Sequence, residues 1–98
     1  MPGPFKVIAL CGSARFRETF RQVQQKLTLA GNIVLCPVFF DDVQPDAAMK
    51  NMLDQQHRQR IDMADEVLVI NVDDYIGQST GAEIDYAVRT GKPVRYLT

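Results

Sequence analysis

Ninety-eight residues, 46% of them hydrophobic and 23% charged, describe a single small domain over positions 1–98 with the composition of a soluble globular protein. A net charge of −1 excludes a global attraction to nucleic-acid polymers or anionic membranes, so any anion contact has to be local. No stretch approaches the roughly 18 apolar residues of a membrane span, and the N-terminal "MPGPFKVIALCG" lacks the flanks of a signal peptide, which points to a cytoplasmic protein.

"FKVIALCG" is a nearly continuous apolar run closed by glycine, the pattern of a strand buried on both faces. From Arg15 to Ala30 the period becomes helical, with Phe16, Phe20, Val23 and Leu27 on one face, and Gly31-Asn32 supplies the stop. "IVLCPVFF" predicts a second strand ending near Pro37. Asp46 is a candidate cap for the next helix, whose inner face takes Met49, Met52, Leu53, His57, Ile61 and Ala64. "EVLVINV" predicts the third strand. A loop and a helix with Ile84, Ala87 and Val88 inward follow, then Gly91 as the stop and "PVRYL" as a short last strand, an edge candidate because of its proline.

Strictly alternating strands and helices predict a three-layer α/β fold. Its sheet is parallel, of flavodoxin- or Rossmann-like type, with about four strands in the order 2-1-3-4. The switch point of that order lies between the first and third strands, and ligands of such sheets bind there, at the carboxyl ends. "CGSARF", the loop after Cys36 and "NVDDYIGQSTGAE" all converge on it. A chain this short buries a limited share of its surface, which favours a homodimer or higher homo-oligomer.

Each residue at that point has a plain reading and a chemical one. Gly12, Ser13 and Arg15 can be a turn, a cap and a solvated arginine; they can also grip a phosphate or carboxylate at a helix start. "TGAE" fits a capping box, with Thr80 as the cap and Glu83 in the first turn answering it. A carboxylate at the mouth of the cleft can equally act as nucleophile or general base. His57, the only histidine, is a packed residue or a proton carrier. Asp73 and Asp74 suit loop solvation or a ligand hydroxyl, and Tyr75 with Phe39 or Phe40 can stack on a flat ring or serve the core. Asp41, Asp42 and Asp46 match no ligand spacing, and Cys11 and Cys36 form neither a metal motif nor a disulfide framework. We therefore expect reduced thiols, no metal and no cofactor.

Three blocks, "CGSARF", "MADEVLVINV" and "YIGQSTGAEIDYAVRTGKPV", together resemble the nucleoside 2-deoxyribosyltransferase-like proteins in the same order along nearly the whole chain. That superfamily includes the transferases and the 2'-deoxynucleoside 5'-phosphate N-hydrolases. The resemblance implies that Glu83 attacks the anomeric carbon of the sugar to form a glycosyl-enzyme ester. It implies that Gly12, Ser13 and Arg15 contact the 5'-phosphate, and that Gly77, Ser79 and Thr80 help hold the sugar-phosphate. Asp73, Tyr75 and Phe39 are candidate sugar or base contacts. The hydrolases also carry an aspartate acid on the helix before the third strand, and the count back from Ala64-Asp65 places His57 there. The transferases are longer and complete their site with C-terminal residues of a neighbouring subunit, so the resemblance leans toward hydrolysis, with base exchange and simple nucleotide binding as the alternatives. The expected partner is a small nucleoside or nucleotide.

Overall fold

The computed structural model describes residues 3–98. Four strands, β1 (Lys6–Gly12), β2 (Asn32–Leu35), β3 (Glu66–Ile70) and β4 (Val94–Tyr96), form one sheet in the order β2-β1-β3-β4. All three pairings are parallel, with Ala9 opposite Leu35 in β2 and Val67 in β3, and Val67 opposite Val94 in β4. Three helices connect them: α1 (Arg17–Leu29), entered through a 3-10 turn at Ala14–Phe16, α2 (Ala47–Met63) and α3 (Gln78–Arg89).

The two-residue period of the central strands divides the core. Val7, Ala9, Cys11, Val67 and Val69 face Ile61 and Ala64 from α2 and its end, and Ala87 from α3. Ile8, Leu10, Leu68 and Ile70 face Phe20, with Phe16, Val23 and Leu27 of α1 packed around them. Both faces are therefore apolar, which is why β1 and β3 read as unbroken hydrophobic runs. Glu66, at the foot of β3, is the charged exception. Its buried carboxylate is met by Lys6 Nζ at 2.5 Å and Arg95 Nη2 at 2.6 Å, so the charge is not left alone in the sheet.

Three sequence expectations change, while the second strand stops just short of the proline expected to end it. The second strand ends at Leu35, because Pro37 has no N–H to give β1. The chain beyond it turns across the sheet end, with Phe39 edge-on to Phe20 at 4.9 Å. Met49 and Met52 are exposed at 40% and 48% instead of buried. Seventeen helical residues span about 25 Å, whereas the five residues of β3 span about 17 Å, so α2 overhangs the strand ends. Val88 is also exposed, since the inward stripe of α3 is narrow and centred on Ala87. Finally, α3 starts at Gly77 as N-cap, with no side-chain cap bond. Thr80 is thus a buried residue inside the helix, and Glu83 stands in the second turn, outside any capping box. Elsewhere the caps follow expectation: Asp46 accepts the Met49 N–H at 2.8 Å, and Gly31 and Gly91 take positive φ at the ends of α1 and α3.

Gly12 shows how tightly the strand ends pack. A Cβ there would sit 2.9 Å from the Ile70 carbonyl oxygen and 3.0 Å from both Ile70 Cβ and Phe20 Cζ. Its lack of a side chain serves strand–strand and strand–helix contact. Gly12→Ala should therefore destabilise the fold by about 1–3 kcal/mol through overpacking. Urea unfolding measures this, and an unchanged midpoint would show that the neighbours yield freely.

Candidate active site

The carboxyl ends of β1 and β3, the overhang of α2 and the start of α3 enclose one cleft with three hollows, and Glu83 lines all of them. The first, about 350 Å³, lies between α2 and α3 and includes Lys50, Asp54, Arg58 and Ser79. The second, about 210 Å³, has aromatic and apolar walls from Phe39, Phe40 and Leu53 with Asp54, His57 and Arg60 among them. The third, about 310 Å³, gathers Ser13, Tyr75, Gly77, Ser79 and Thr80. Each is at or below the lower end of usual ligand-pocket volumes, so a nucleotide-sized molecule has to span more than one. Glu83 is the common wall.

Glu83 sits where it does because α3 crosses the end of β1 one turn in from its mouth. Its carboxylate is 20% exposed and lies 3.6 Å from His57 Nε2. The third member is Cys11, whose side chain projects from β1 on the α2/α3 face; its Sγ lies 3.2 Å from His57 Nε2. One donor atom from each of Cys11, His57 and Glu83 fits within 4.8 Å. Arg60 approaches from the opposite edge of the ring, with Nη1 3.2 Å from His57 Nδ1.

Burial dominates the electrostatics. It raises Glu83 from 4.5 to about 7, with Asp54 adding to the rise and the Cys11 hydrogen bond, Lys50 and Arg60 opposing it. It lowers His57 from 6.5 to about 4, helped by the Arg60 charge and opposed by Asp54. The Cys11 thiol is raised by burial and by Glu83. Near neutral pH the site therefore holds a neutral imidazole, a thiol and a carboxyl group poised between its two forms. The His57–Glu83 contact is not an ion pair there, and His57 does not carry the imidazolium proton expected of a general acid.

Some of the other sequence candidates share a hollow with Glu83 and some do not. Ser13 Oγ accepts the Arg15 N–H at 3.2 Å and forms part of the third hollow. The Arg15 guanidinium lies 3.8 Å over the Tyr75 ring, at the rim. Phe39 lines the second hollow. Asp73 is exposed and lines none of the three, and it and Asp74 adopt left-handed backbone with φ of 54° and 61°. Sequence reasoning passed over Asp54, Arg60 and the place of Cys11. The spacing of Asp54, His57 and Arg60 at successive threes along α2 was the available signal, since such residues share a helix face.

No family model matches the chain, and no curated protein matches its sequence. Solved structures do resemble it. A 2-deoxyribosyltransferase from Bacillus psychrosaccharolyticus, a biocatalyst for the synthesis of antiviral and antitumoral nucleosides, superposes with a TM-score of 0.72 at 20% identity. The match covers 92% of this chain and 70% of that one. A 2-desoxiribosyltransferase from Leishmania mexicana gives a TM-score of 0.70 at 18% identity, covering 93% of this chain and 63% of that one. The chain thus has the nucleoside 2-deoxyribosyltransferase-like fold. Among the described residues, no helix is long and apolar enough to cross a membrane.

The two shifted groups pull stability in opposite directions with pH. Folded Glu83 holds its proton more tightly than the unfolded chain, so its contribution is full below about pH 4.5 and lost as pH rises through 7. His57 contributes fully above 6.5 and loses this as pH falls through 4. Each is worth about 3 kcal/mol, and in the overlap they largely cancel. Glu83→Gln should therefore gain stability more steeply than wild type between pH 4.5 and 6.5 in urea titrations. Parallel pH curves would mean that Glu83 ionises as an ordinary exposed carboxylate.

Proposed function

We propose that this chain is an enzyme that cleaves the N-glycosidic bond of nucleoside or deoxynucleoside 5'-monophosphates, with Glu83 as the nucleophile. The observation that carries the reading is a half-buried carboxylate shared by three hollows at the switch point of a parallel sheet, in a fold otherwise seen in deoxyribosyltransferases. The aromatic hollow with Phe39 and Phe40 suits a nucleobase. The hollow at the start of α3, with Ser13, Gly77, Ser79 and Thr80, suits the sugar-phosphate, and Arg15 stands at its rim beside Tyr75.

The chemistry runs in two displacements. An ionised Glu83 oxygen bonds to the anomeric carbon as the carbon–nitrogen bond breaks and its electron pair leaves with the base. The departing base takes its proton from solvent water. Asp54, which lines two hollows with Glu83, serves in our reading as general base for the next step and then returns the proton it gains to solvent. Water then attacks the anomeric carbon of the glycosyl ester, gives its proton to Asp54 and frees Glu83. If a second nucleobase attacks in place of water, the result is transfer. The activity of the two structural neighbours favours that alternative. Exposed Val38, Phe40, Met49 and Met52 beside the cleft support a homodimer.

Chromatography of free base released from a panel of nucleoside and deoxynucleoside 5'-monophosphates tests the proposal, run with and without a second free base. Wild type should release base, Glu83→Ala should lose roughly three orders of magnitude or more, and Asp54→Asn roughly 100-fold. A product carrying the added base would identify transfer. Nucleotide binding without release from any member of the panel would overturn the enzyme reading and leave a binding module.

A further inference from the structure

A guanidinium has donors and no acceptor. The 3.2 Å contact between Arg60 Nη1 and His57 Nδ1 is therefore a hydrogen bond only if Nδ1 is bare, with the ring hydrogen on Nε2. Nε2 in turn points at Cys11 Sγ, 3.2 Å away, while Glu83 Oε1 is too distant at 3.6 Å for a good bond. The thiol hydrogen is left to turn toward Glu83, whose carboxylate oxygen lies within 4.8 Å of the sulfur. Both hydrogen bonds run one way, from the Arg60 cation through His57 to a thiol that stands beside the Glu83 carboxylate.

We propose that Arg60 is a positioning residue that sets the polarity of a relay, Arg60 to His57 to Cys11 to Glu83, and that this relay fixes the orientation of the Glu83 carboxylate. The role in catalysis rests on Glu83 being the nucleophile; the relay itself does not. Three elements supply the groups that face it: Cys11 from β1, Lys50, Asp54, His57 and Arg60 from α2, and Glu83 from α3. The relay also bears on metals. Cys11, His57 and Glu83 bring three potential donor atoms within 4.8 Å of one another, yet the relay argues against their holding an ion. With its hydrogen on Nε2, His57 offers that ion no lone pair while Arg60 holds the other nitrogen.

The tautomer is read directly by long-range ¹H–¹⁵N spectra of His57 in the intact protein at pH 7, without substrate. The expected pattern is an unprotonated Nδ1 and a protonated Nε2, unaltered by one equivalent of Zn²⁺. A protonated Nδ1, an imidazolium, or a zinc-dependent shift of His57 would overturn the relay. The second measurement is the ¹³C titration of the Glu83 carboxyl group. Arg60→Met removes a cation and the polarity of the chain, so its midpoint should move to higher pH, and Arg60→Lys should restore it. A merely structural Arg60 would lower stability and leave the midpoint in place, which would also overturn the proposal. On an active substrate, Arg60→Met should lower kcat roughly 10- to 100-fold, the size of one hydrogen bond to a charged group, with KM little changed. If no substrate is turned over, the nucleophile reading fails alone, and the two spectroscopic results still decide the relay.

Discussion

Placing a carboxylate where water is scarce, against the end of a buried strand, is the constraint that organises this end of the molecule. Glu83 lies on a helix, yet its surroundings come from elsewhere: a thiol from β1 and an imidazole from α2. Only the order β2-β1-β3-β4 allows this, since it leaves β1 beside β3 and opens a crevice where the connections part. Burial disfavours the charged form, and the groups near Glu83 offset that cost only in part, so the carboxyl is held near neutrality instead of far below it. A nucleophile for glycosidic displacement benefits from such poor solvation, because little water has to be stripped away before attack.

The two ends of the sheet treat charge differently. At the foot, Glu66 is bound by Lys6 and Arg95, Asp65 accepts the Val7 N–H at 2.8 Å, and Lys92 donates to the carbonyls of Asp62 and Ala64. These bonds tie the strand ends to α2 and to the loop before β4. At the top, α2 runs on past the strands and lines the cleft with Lys50, Asp54 and Arg60, while His57 stays buried against Cys11. The overhang is a consequence of length: a helix of this many residues cannot end level with a five-residue strand. The surplus length becomes the wall of the cleft, and its price is a set of exposed methionines.

The layers, the strand order and the cleft were legible because they depend on periodicity and on the handedness of crossovers, both local or general properties. "FKVIALCG" and "EVLVINV" could hardly be anything but central strands. The site was legible less evenly. Glu83 was legible at the mouth of the cleft and His57 on the inner face of its helix, but their contact and their protonation depend on packing and burial, which no spacing reveals. Cys11 looked like an inert strand-end thiol; only its register, odd-numbered on the α2/α3 face, brings it to Glu83. "TGAE" imitates a capping box well, and the imitation fails because the helix begins three residues earlier at Gly77, where no side chain is needed to start it. Met49 and Met52 fit the inward stripe of α2 in period but not in reach.

That early start changes what the helix can do. A Thr80–Glu83 box would occupy the first amides and the carboxylate with each other. Starting at Gly77, α3 has amides at Gln78, Ser79 and Thr80 with no carbonyl above them in the helix, and they open toward the hollow that Ser13 also lines. Glu83 then stands five residues further along, about 7 Å down the axis from Gln78. An anion at the helix mouth and a reacting carbon beside Glu83 can therefore belong to one molecule with a pentose ring between them. The carboxylate is released from capping by its own depth in the helix, so the positive end of the helix dipole is free for an anion while Glu83 stands one turn below it.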